Sequence, residues 1–284
     1  MAGSTSTTLN DLLPAITAEA MFVANERSIM RGLVKNFSLP AGSGKTITVP
    51  IYPVQTAAAL TEGNEASNTA VSTNGATLTV STVAVRTLIT DLIRASAASN
   101  VVADMGRLFG EAIAKKMDQD LLALFAGFTG LTAGGAAAPL TAAVIAEAVA
   151  KLRANAVPGD ALACVVHPYV AYDLKSSLTN TWVNPNAGII QNEAMASGYV
   201  GSLFGVPVFE SSNIADTGTA GDYVGAVFHR DALGLAMIGD IMIETQRRAS
   251  FVGDDIVASA HFGVGELYDG YGVAITSDSS LVNP

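Results

Sequence analysis

The sequence predicts an α+β fold organised around an extended β-hairpin and one long helix. Apolar residues alternate with polar or small ones along residues 46–51 and again along residues 76–80, which is the period of a half-buried strand. Between residues 101 and 124 the apolar residues recur close to every 3.6 positions, as in an amphipathic α-helix. Shorter apolar runs follow, so strands and helices alternate through the rest of the chain.

The hairpin carries the residues that we expect to contact another subunit. No Lys or Arg occurs from Thr46 through Val85, and residues 60–68 are polar without a core pattern. A two-stranded ribbon of this length cannot bury its own apolar faces, because an isolated hairpin is only marginally stable in water. We therefore predict that it lies against a second copy of the protein. The predicted interface residues are Ile47, Val49, Ile51, Leu60, Glu62, Glu65, Leu78 and Val80.

The return arm of the hairpin leads into the long helix. The apolar phase slips near residues 81–82, which predicts a β-bulge. Ser99 or Asn100 is a suitable N-cap for the helix, and Gly127 ends it, which gives a length of about 40 Å. Asp118 belongs to the polar residues that we expect to face away from the core. The Gly- and Ala-rich residues 127–139 predict a break in regular structure.

The remaining elements are shorter. Thr141 is expected to cap a second helix that ends near residue 155, and residues 161–166 read as a buried strand. Residues 1–20 are expected to form an arm that orders only against neighbouring subunits, and residues 179–193 a polar loop. A further helix is predicted over residues 169–178, and strands near residues 206–211, 224–228, 241–244, 255–263 and 271–275.

The composition indicates a chain whose surface is largely covered. Of its 284 residues 50% are apolar and only 14% are charged, against about 25% in an ordinary soluble domain. A membrane protein would need an uninterrupted run of about 18 apolar residues, and none is present. The N-terminus lacks the basic and apolar regions of a signal peptide. The single cysteine, Cys164, excludes an internal disulfide and is typical of a reducing compartment.

The formal net charge of −10 argues against a sequence-specific nucleic-acid reader, which normally presents a basic patch. It does not argue against a container for nucleic acid. An anionic inner wall would repel the phosphate backbone, so that a nucleic acid could enter without adhering.

We predict no catalytic residue, no cofactor and no metal site. Cys164 and His167 have a ligand-like spacing, but no second pair completes a metal site. The triplet from His229 to Asp231 lacks the other motifs of a kinase, and the Gly44-Lys45-Thr46 end of a P-loop lacks its first glycine. Two acidic pairs, Asp254/Asp255 and Asp240/Glu244, are interpreted as solvated turns.

The order of these elements resembles that of the major capsid proteins of tailed bacteriophages. The resemblance covers nearly the whole chain, and includes the Gly205-Val206-Pro207-Val208 turn, the Asp231-Ala232-Leu233-Gly234 segment and Tyr271-Gly272-Val273 near the end. It implies the tailed-phage major capsid fold. The implied parts are an N-terminal arm (1–45), an extended loop (46–93), a spine helix with the first part of a peripheral domain (94–135), an axial domain (136–239) and the second part of the peripheral domain (240–284).

The resemblance also implies a function. The chain would assemble through pentamers and hexamers into an icosahedral shell that encloses the double-stranded DNA of a tailed phage without sequence-specific binding. A separate scaffolding protein, a portal and decoration proteins would be its partners, with no membrane involved. It would reside in the virion after assembly in the host cytoplasm. Some relatives cross-link through a lysine of the extended loop, but this loop has none, so we expect no such chemistry.

Two other classes stay open at this point. A cellular nanocompartment shell would share the architecture and enclose a protein cargo. A small-molecule binding or hydrolytic domain would be a monomer or small oligomer with a polar pocket. Particles of megadalton mass would favour a shell, and their nucleic-acid content would separate a virus from a compartment.

Overall fold

A computed structural model describes residues 28–40, 42, 44–52, 57, 59, 63, 65, 74–96, 101–179, 199–217 and 221–281. The helices in this part are α1 (Met30–Leu33), α2 (Asp91–Ser96), α3 (Val101–Ala123), α4 (Ala142–Ala154) and α5 (Pro168–Thr179). Short 3₁₀ turns occur at Leu124–Gly127, Arg230–Ala232, Ala249–Phe251 and Asp269–Tyr271. The strands are β1 (Lys35–Leu39), β2 (Thr46–Ile51), β3 (Asn74–Thr79), β4 (Ser81–Thr90), β5 (Thr132–Pro139), β6 (Leu162–Val166), β7 (Tyr199–Leu203), β8 (Val206–Glu210), β9 (Asp222–His229), β10 (Leu233–Ile238), β11 (Met242–Arg248), β12 (Gly253–Glu266) and β13 (Gly272–Asp278).

The strands form two sheets and a separate ribbon. The six-stranded sheet has the order β5-β13-β9-β6-β8-β7, and α4 packs on it. The five-stranded sheet has the order β1-β10-β12-β11, with β4 on the other edge of β12, and the long helix α3 lies against it. Strands β2 and β3 pair only with each other, as an antiparallel ribbon. The mixed α+β architecture is the one that the sequence predicts.

The sheets divide the chain differently from the predicted domains. Strand β10, placed by sequence in the axial segment 136–239, belongs to the five-stranded sheet. Strand β13, placed in the peripheral segment 240–284, inserts between β5 and β9 of the six-stranded sheet. An apolar strand pattern shows that a segment is buried, but it does not show which sheet receives it.

Two further expectations are wrong in an informative way. Residues 132–139 are a strand and not a break: β5 runs parallel to β13, and Gly134 with its positive φ of 74° lets the backbone approach Thr276. The phase slip near residues 81–82 is not a bulge within the ribbon. It marks the point where the chain leaves the ribbon and pairs instead with β12 as β4.

The root of the ribbon is held by a leucine that enters a pocket of glycines. Leu78 is 1% exposed, and its methyl carbons lie where side chains at Gly234 and Gly265 would begin. A Cβ at Gly263 would overlap the backbone of Thr79. We call Gly234, Gly263 and Gly265 the glycine pocket. The absence of side chains at these positions lets the ribbon cross the sheet in direct contact, which fixes where it leaves the subunit.

The chain segment before β1 is held to the long helix by a buried carboxylate. Asp118 of α3 is 1% exposed and accepts hydrogen bonds from Ser28 Oγ at 2.7 Å, from the Ile29 amide at 3.2 Å and from the Met30 amide at 3.3 Å. Burial raises the pKa of Asp118, although these hydrogen bonds act in the opposite direction. The expectation that Asp118 faces solvent is therefore wrong, because residues 28–30 cover this side of the helix.

Replacement of Leu78 by Ala should lower the free energy of unfolding of the unassembled subunit by about 2 to 4 kcal/mol, because a cavity remains between the ribbon and the glycine pocket. The measurement is urea unfolding followed by circular dichroism. The control is Thr79→Ala at the exposed neighbouring position, which should change stability by less than about 1 kcal/mol. Equal losses for both variants would show that Leu78 does not anchor the ribbon.

Replacement of Asp118 by Ala should cost about 2 to 3 kcal/mol of unfolding free energy, since it leaves buried donors at residues 28–30 without their acceptor. The matched control is Asp120→Ala on the same helix, where the carboxylate pairs with Lys116 at 2.7 Å on the surface. That variant should lose less than about 1 kcal/mol. If the two variants unfold at the same urea concentration, the proposed anchoring of residues 28–30 is contradicted.

Candidate subunit interface

Beyond its root the ribbon has one apolar face that its own chain covers only in part. Ile47, Val49 and Ala76 are partly buried against the cluster around Leu78, and Ile51 is half-buried at the far end of β2. Tyr52, the next residue, is 64% exposed. Ile47, Val49 and Ile51 thus all stay partly exposed along β2, which leaves an apolar stripe for another surface to cover.

The opposite face of the ribbon is polar. Thr48 lies opposite Thr77, and their hydroxyl oxygens are 3.4 Å apart. Because side chains alternate between the faces of a strand, Thr48 points away from the stripe formed by Ile47, Val49 and Ile51. The ribbon is therefore two-sided, and its apolar side alone is suited to contact a neighbouring molecule.

The structure corrects two of the predicted interface residues. Leu78 and Val80 are buried within the subunit, in one cluster with Leu39, Ala236 and Leu267, so they are not available to a neighbour. The alternation of apolar and polar residues identifies the apolar positions of a strand. It does not distinguish burial within the subunit from burial between subunits. Glu65 is exposed. Leu60 and Glu62 lie outside the described residues.

A second exposed apolar patch, which sequence reasoning missed, lies where β4 ends. Leu92 and Ile93 lie in the first turn of helix α2, and Phe251 and Val252 occupy the turn between β11 and β12. Leu92 is 77% and Val252 60% exposed. The amide of Asp91 donates to the Val252 carbonyl at 2.9 Å, which brings the two segments together. Val252 has a positive φ of 47°, a strained conformation for a β-branched residue. Large apolar residues held outward in this way are typical of a protein contact surface.

Several charges beside this patch are paired within the subunit. Asp255 is buried, and its Oδ2 accepts from Arg86 at 2.7 Å and from Arg248 at 2.8 Å, on the two strands that flank β12. Arg247 donates two hydrogen bonds, at 2.7 and 2.6 Å, to the carboxylate of Asp91. The interpretation of Asp254 and Asp255 as a solvated acidic turn is therefore wrong, since both are strand residues with buried side chains.

The residues considered for catalysis occupy structural positions. Cys164 is fully buried in β6, and burial raises the pKa of its thiol to about 12, so it carries no thiolate at neutral pH. The ring of His167 stacks on Tyr223 with centroids 3.9 Å apart, and burial lowers its pKa although the charge of Asp216 opposes this. The ring of His229 accepts a hydrogen bond from the amide of Asp231. Within the described ranges no three His, Cys, Asp or Glu side chains are grouped as metal ligands would be.

None of the helices in the described part of the chain is both long and apolar enough to cross a membrane. The longest of them, α3, instead places one apolar face on the five-stranded sheet and carries charges on the other.

Comparisons with known proteins agree with this architecture. A family model described as "Phage capsid protein" matches residues 73–276. No curated protein matches the chain. Among solved structures, the capsid of cyanophage P-SCSP1u is 19% identical with a TM-score of 0.68, and the match covers 89% of both chains. A protein of Mycobacterium phage Che8 is 24% identical with a TM-score of 0.64, over 83% of this chain and 85% of the other.

A third similar structure is an encapsulin complex from Synechococcus elongatus, 12% identical with a TM-score of 0.64 over 90% of this chain and 89% of the other. At these identities the structural likeness shows the fold alone. The family model, however, spans more than half of the chain. Together with the ribbon, the long helix and the two sheets, it shows that this chain belongs to the phage capsid protein family and is a shell-forming capsid protein with the fold of tailed-phage major capsid proteins.

Proposed function

We propose that the chain assembles through pentamers and hexamers into an icosahedral shell, and that the apolar face of its ribbon lies over the adjacent subunit. The observation that carries this proposal is the apolar stripe of Ile47, Val49 and Ile51, which stays partly exposed along the whole of β2 although the root of the ribbon is anchored. The role is structural and involves no catalysis. Ile47, Val49 and Ile51 are the proposed contact residues on the ribbon, and Glu65 is a proposed contact near its tip.

The physical basis is repetition of a modest contact. A head-to-tail interface between identical subunits closes into a ring or shell when its rotation permits. Apolar contact contributes about 25 cal/mol per Å² before the costs of association are subtracted, so one ribbon alone binds weakly. In a ring every subunit both donates and receives a ribbon, and the contacts reinforce one another. The exposed patch of Leu92, Ile93, Phe251 and Val252 supports the proposal, because it offers a second apolar surface, beside which Arg247 pairs with Asp91 and Arg248 with Asp255.

The two sheets correspond to the two proposed parts of the shell subunit. The six-stranded sheet with α4 and α5 would be the axial part near the centre of a pentamer or hexamer. The five-stranded sheet with α3 would be the peripheral part, where pentamers and hexamers meet. Because β10 lies in the five-stranded sheet and β13 in the six-stranded sheet, we would assign β10 to the peripheral part and β13 to the axial part.

The proposed content of the shell is the double-stranded DNA of a tailed phage. The net charge of −10 supports a wall that does not hold the phosphate backbone tightly. A scaffolding protein, a portal and decoration proteins are the proposed partners, with assembly in the host cytoplasm and a final place in the virion. The second candidate is a nanocompartment shell around a protein cargo, favoured by the likeness in fold to the Synechococcus encapsulin.

Replacement of Ile51 by Asp should abolish assembly without unfolding the subunit. The new carboxylate would be buried without a partner in the interface, at a cost of several kcal/mol per contact, whereas in the free subunit the position is only half-buried. We expect the yield of megadalton particles to fall by about tenfold or more. The yield is measured by sedimentation of lysates from cells that express the chain with the proposed scaffolding protein.

The matched control is Thr48→Asp, which places the same charge on the polar face of the same strand. It should assemble like the original chain, and both variants should stay folded as free subunits by circular dichroism. Equal particle yields from Ile51→Asp and from the original chain would rule out this face of the ribbon as the contact.

The content of the particles distinguishes the two candidate functions. Particles purified from infected cells and treated with nuclease should contain protected double-stranded DNA, because a closed shell excludes the nuclease. Gel electrophoresis after protein digestion is the measurement. Particles with a stoichiometric second protein and no protected DNA would instead identify a nanocompartment.

A further inference from the structure

The chain passes between its two sheets three times, and the crossings come together at one place. The segment 124–131 leads from the long helix to β5, the segment 230–232 joins β9 to β10, and the segment 267–271 joins β12 to β13. The amides of Leu267 and Tyr268 donate to the Ala232 carbonyl at 2.8 and 3.2 Å, so the second and third crossings contact each other directly. We call these three segments the junction.

The two sheets share one apolar core across the junction. Phe125 and Phe128, which follow the long helix, are buried, and the ring centroid of Phe125 lies 5.3 Å from that of Phe228 in β9. A Cβ at Gly272 would overlap the ring of Phe128, so this ring lies directly on the backbone where β13 begins. Apolar contact is non-directional, and it therefore holds the sheets together without by itself fixing the angle between them.

Directional contacts at the junction converge on one aspartate. Asp269 Oδ1 accepts a hydrogen bond from the amide of Thr129 at 3.0 Å, and its Oδ2 accepts one from the amide of Gly130 at 3.1 Å. These two bonds tie the third crossing to the first. A Cβ at Gly130 would stand only 2.6 Å from Asp269 Oδ2, so the carboxylate reaches the turn because residue 130 has no side chain.

Further contacts hold the turn that carries Asp269. Asn155, directly after α4, donates from its side-chain amide to the Gly270 carbonyl at 2.9 Å. The amide of Tyr271 donates to the Tyr268 carbonyl at 3.1 Å, and the rings of these two tyrosines stack with centroids 4.9 Å apart. The backbone on both sides of Asp269 is therefore fixed, and its carboxylate presents one oxygen to each of the two amides.

We propose that Asp269 is a positioning residue that fixes the angle between the two sheets, and with it the curvature of the shell. This inference rests on the proposed function, in which the six-stranded sheet lies near the centre of a pentamer or hexamer and the five-stranded sheet lies where these units meet. A change of angle within one subunit is repeated in every copy, and it alters the rotation between neighbours on which closure depends. Two hydrogen bonds at the junction thus set the geometry of the whole particle.

The test compares the particles formed by Asp269→Ala with those of the original chain. The replacement removes both acceptor oxygens and leaves the apolar core in place, so the free subunit should stay folded by circular dichroism. Electron microscopy should show particles of a single diameter for the original chain and assemblies of varied diameter for the variant. The fraction of particles with the original diameter should fall by about tenfold or more, because two hydrogen bonds to a charged group are lost.

Hydrogen–deuterium exchange of the unassembled subunit tests the junction without the shell. In Asp269→Ala the protection of the Thr129 and Gly130 amides should fall by about tenfold or more, while the amides of β6 keep their protection. Asp269→Asn keeps one acceptor oxygen in a side chain of the same shape, and should show both defects to a smaller degree. The matched control is Asp240→Ala, which removes an exposed carboxylate at the other end of β10 and should behave like the original chain.

The outcomes separate this inference from the proposed function. Folded Asp269→Ala subunits that form particles of the original diameter alone would overturn the role of Asp269, and so would unchanged protection of the Thr129 and Gly130 amides. In either case the assembly of the original chain would leave the proposed function intact. An original chain that forms no shell would contradict the proposed function itself, and with it the link from this junction to curvature.

Discussion

The insertion of Leu78 into the glycine pocket is the contact on which the rest of the arrangement depends. It clamps the root of the ribbon onto β10 and β12, so the ribbon leaves the subunit in a set direction. The amide of Val80 donates to the Lys45 carbonyl at 2.8 Å and closes the base of the ribbon at the same level. A ribbon with a free root would lose much conformational entropy on docking, whereas a clamped one has its orientation fixed before any partner arrives.

The charged residues of the subunit are few, and several of them pair with each other. The low charged content leaves few groups to solubilise the subunit, and several of those present are committed to internal pairs such as Arg247 with Asp91 and Arg86 with Asp255. What remains exposed includes the apolar face at Ile51 and the patch around Val252. A chain built in this way gains from covering its surface with copies of itself, in agreement with its membership of the phage capsid protein family.

Periodicity was sufficient to predict the local elements. The strand Thr46–Ile51, the long helix with its 3₁₀ extension to Gly127, and the buried strand over residues 162–166 are all confirmed, because each has a long or strongly patterned apolar signal. One error is local, since the Gly- and Ala-rich residues 132–139 carry no strand pattern and yet form β5. The other errors concern partners. Leu78 and Ile51 look alike in the sequence, yet one is enclosed by glycines distant in the chain and the other is not. The sequence alone suggests that Asp118 and Asp255 lie on the surface. In the structure residues 28–30 cover Asp118, and Arg86 and Arg248 from neighbouring strands pair with Asp255.

An electron cryo-microscopy reconstruction of the assembled particle tests this arrangement most directly. We predict that Leu78 stays in the glycine pocket of its own subunit, while Ile47, Val49 and Ile51 contact the adjacent subunit. A reconstruction in which the apolar face of the ribbon is covered by its own chain, with no neighbour within contact distance of Ile51, would contradict it.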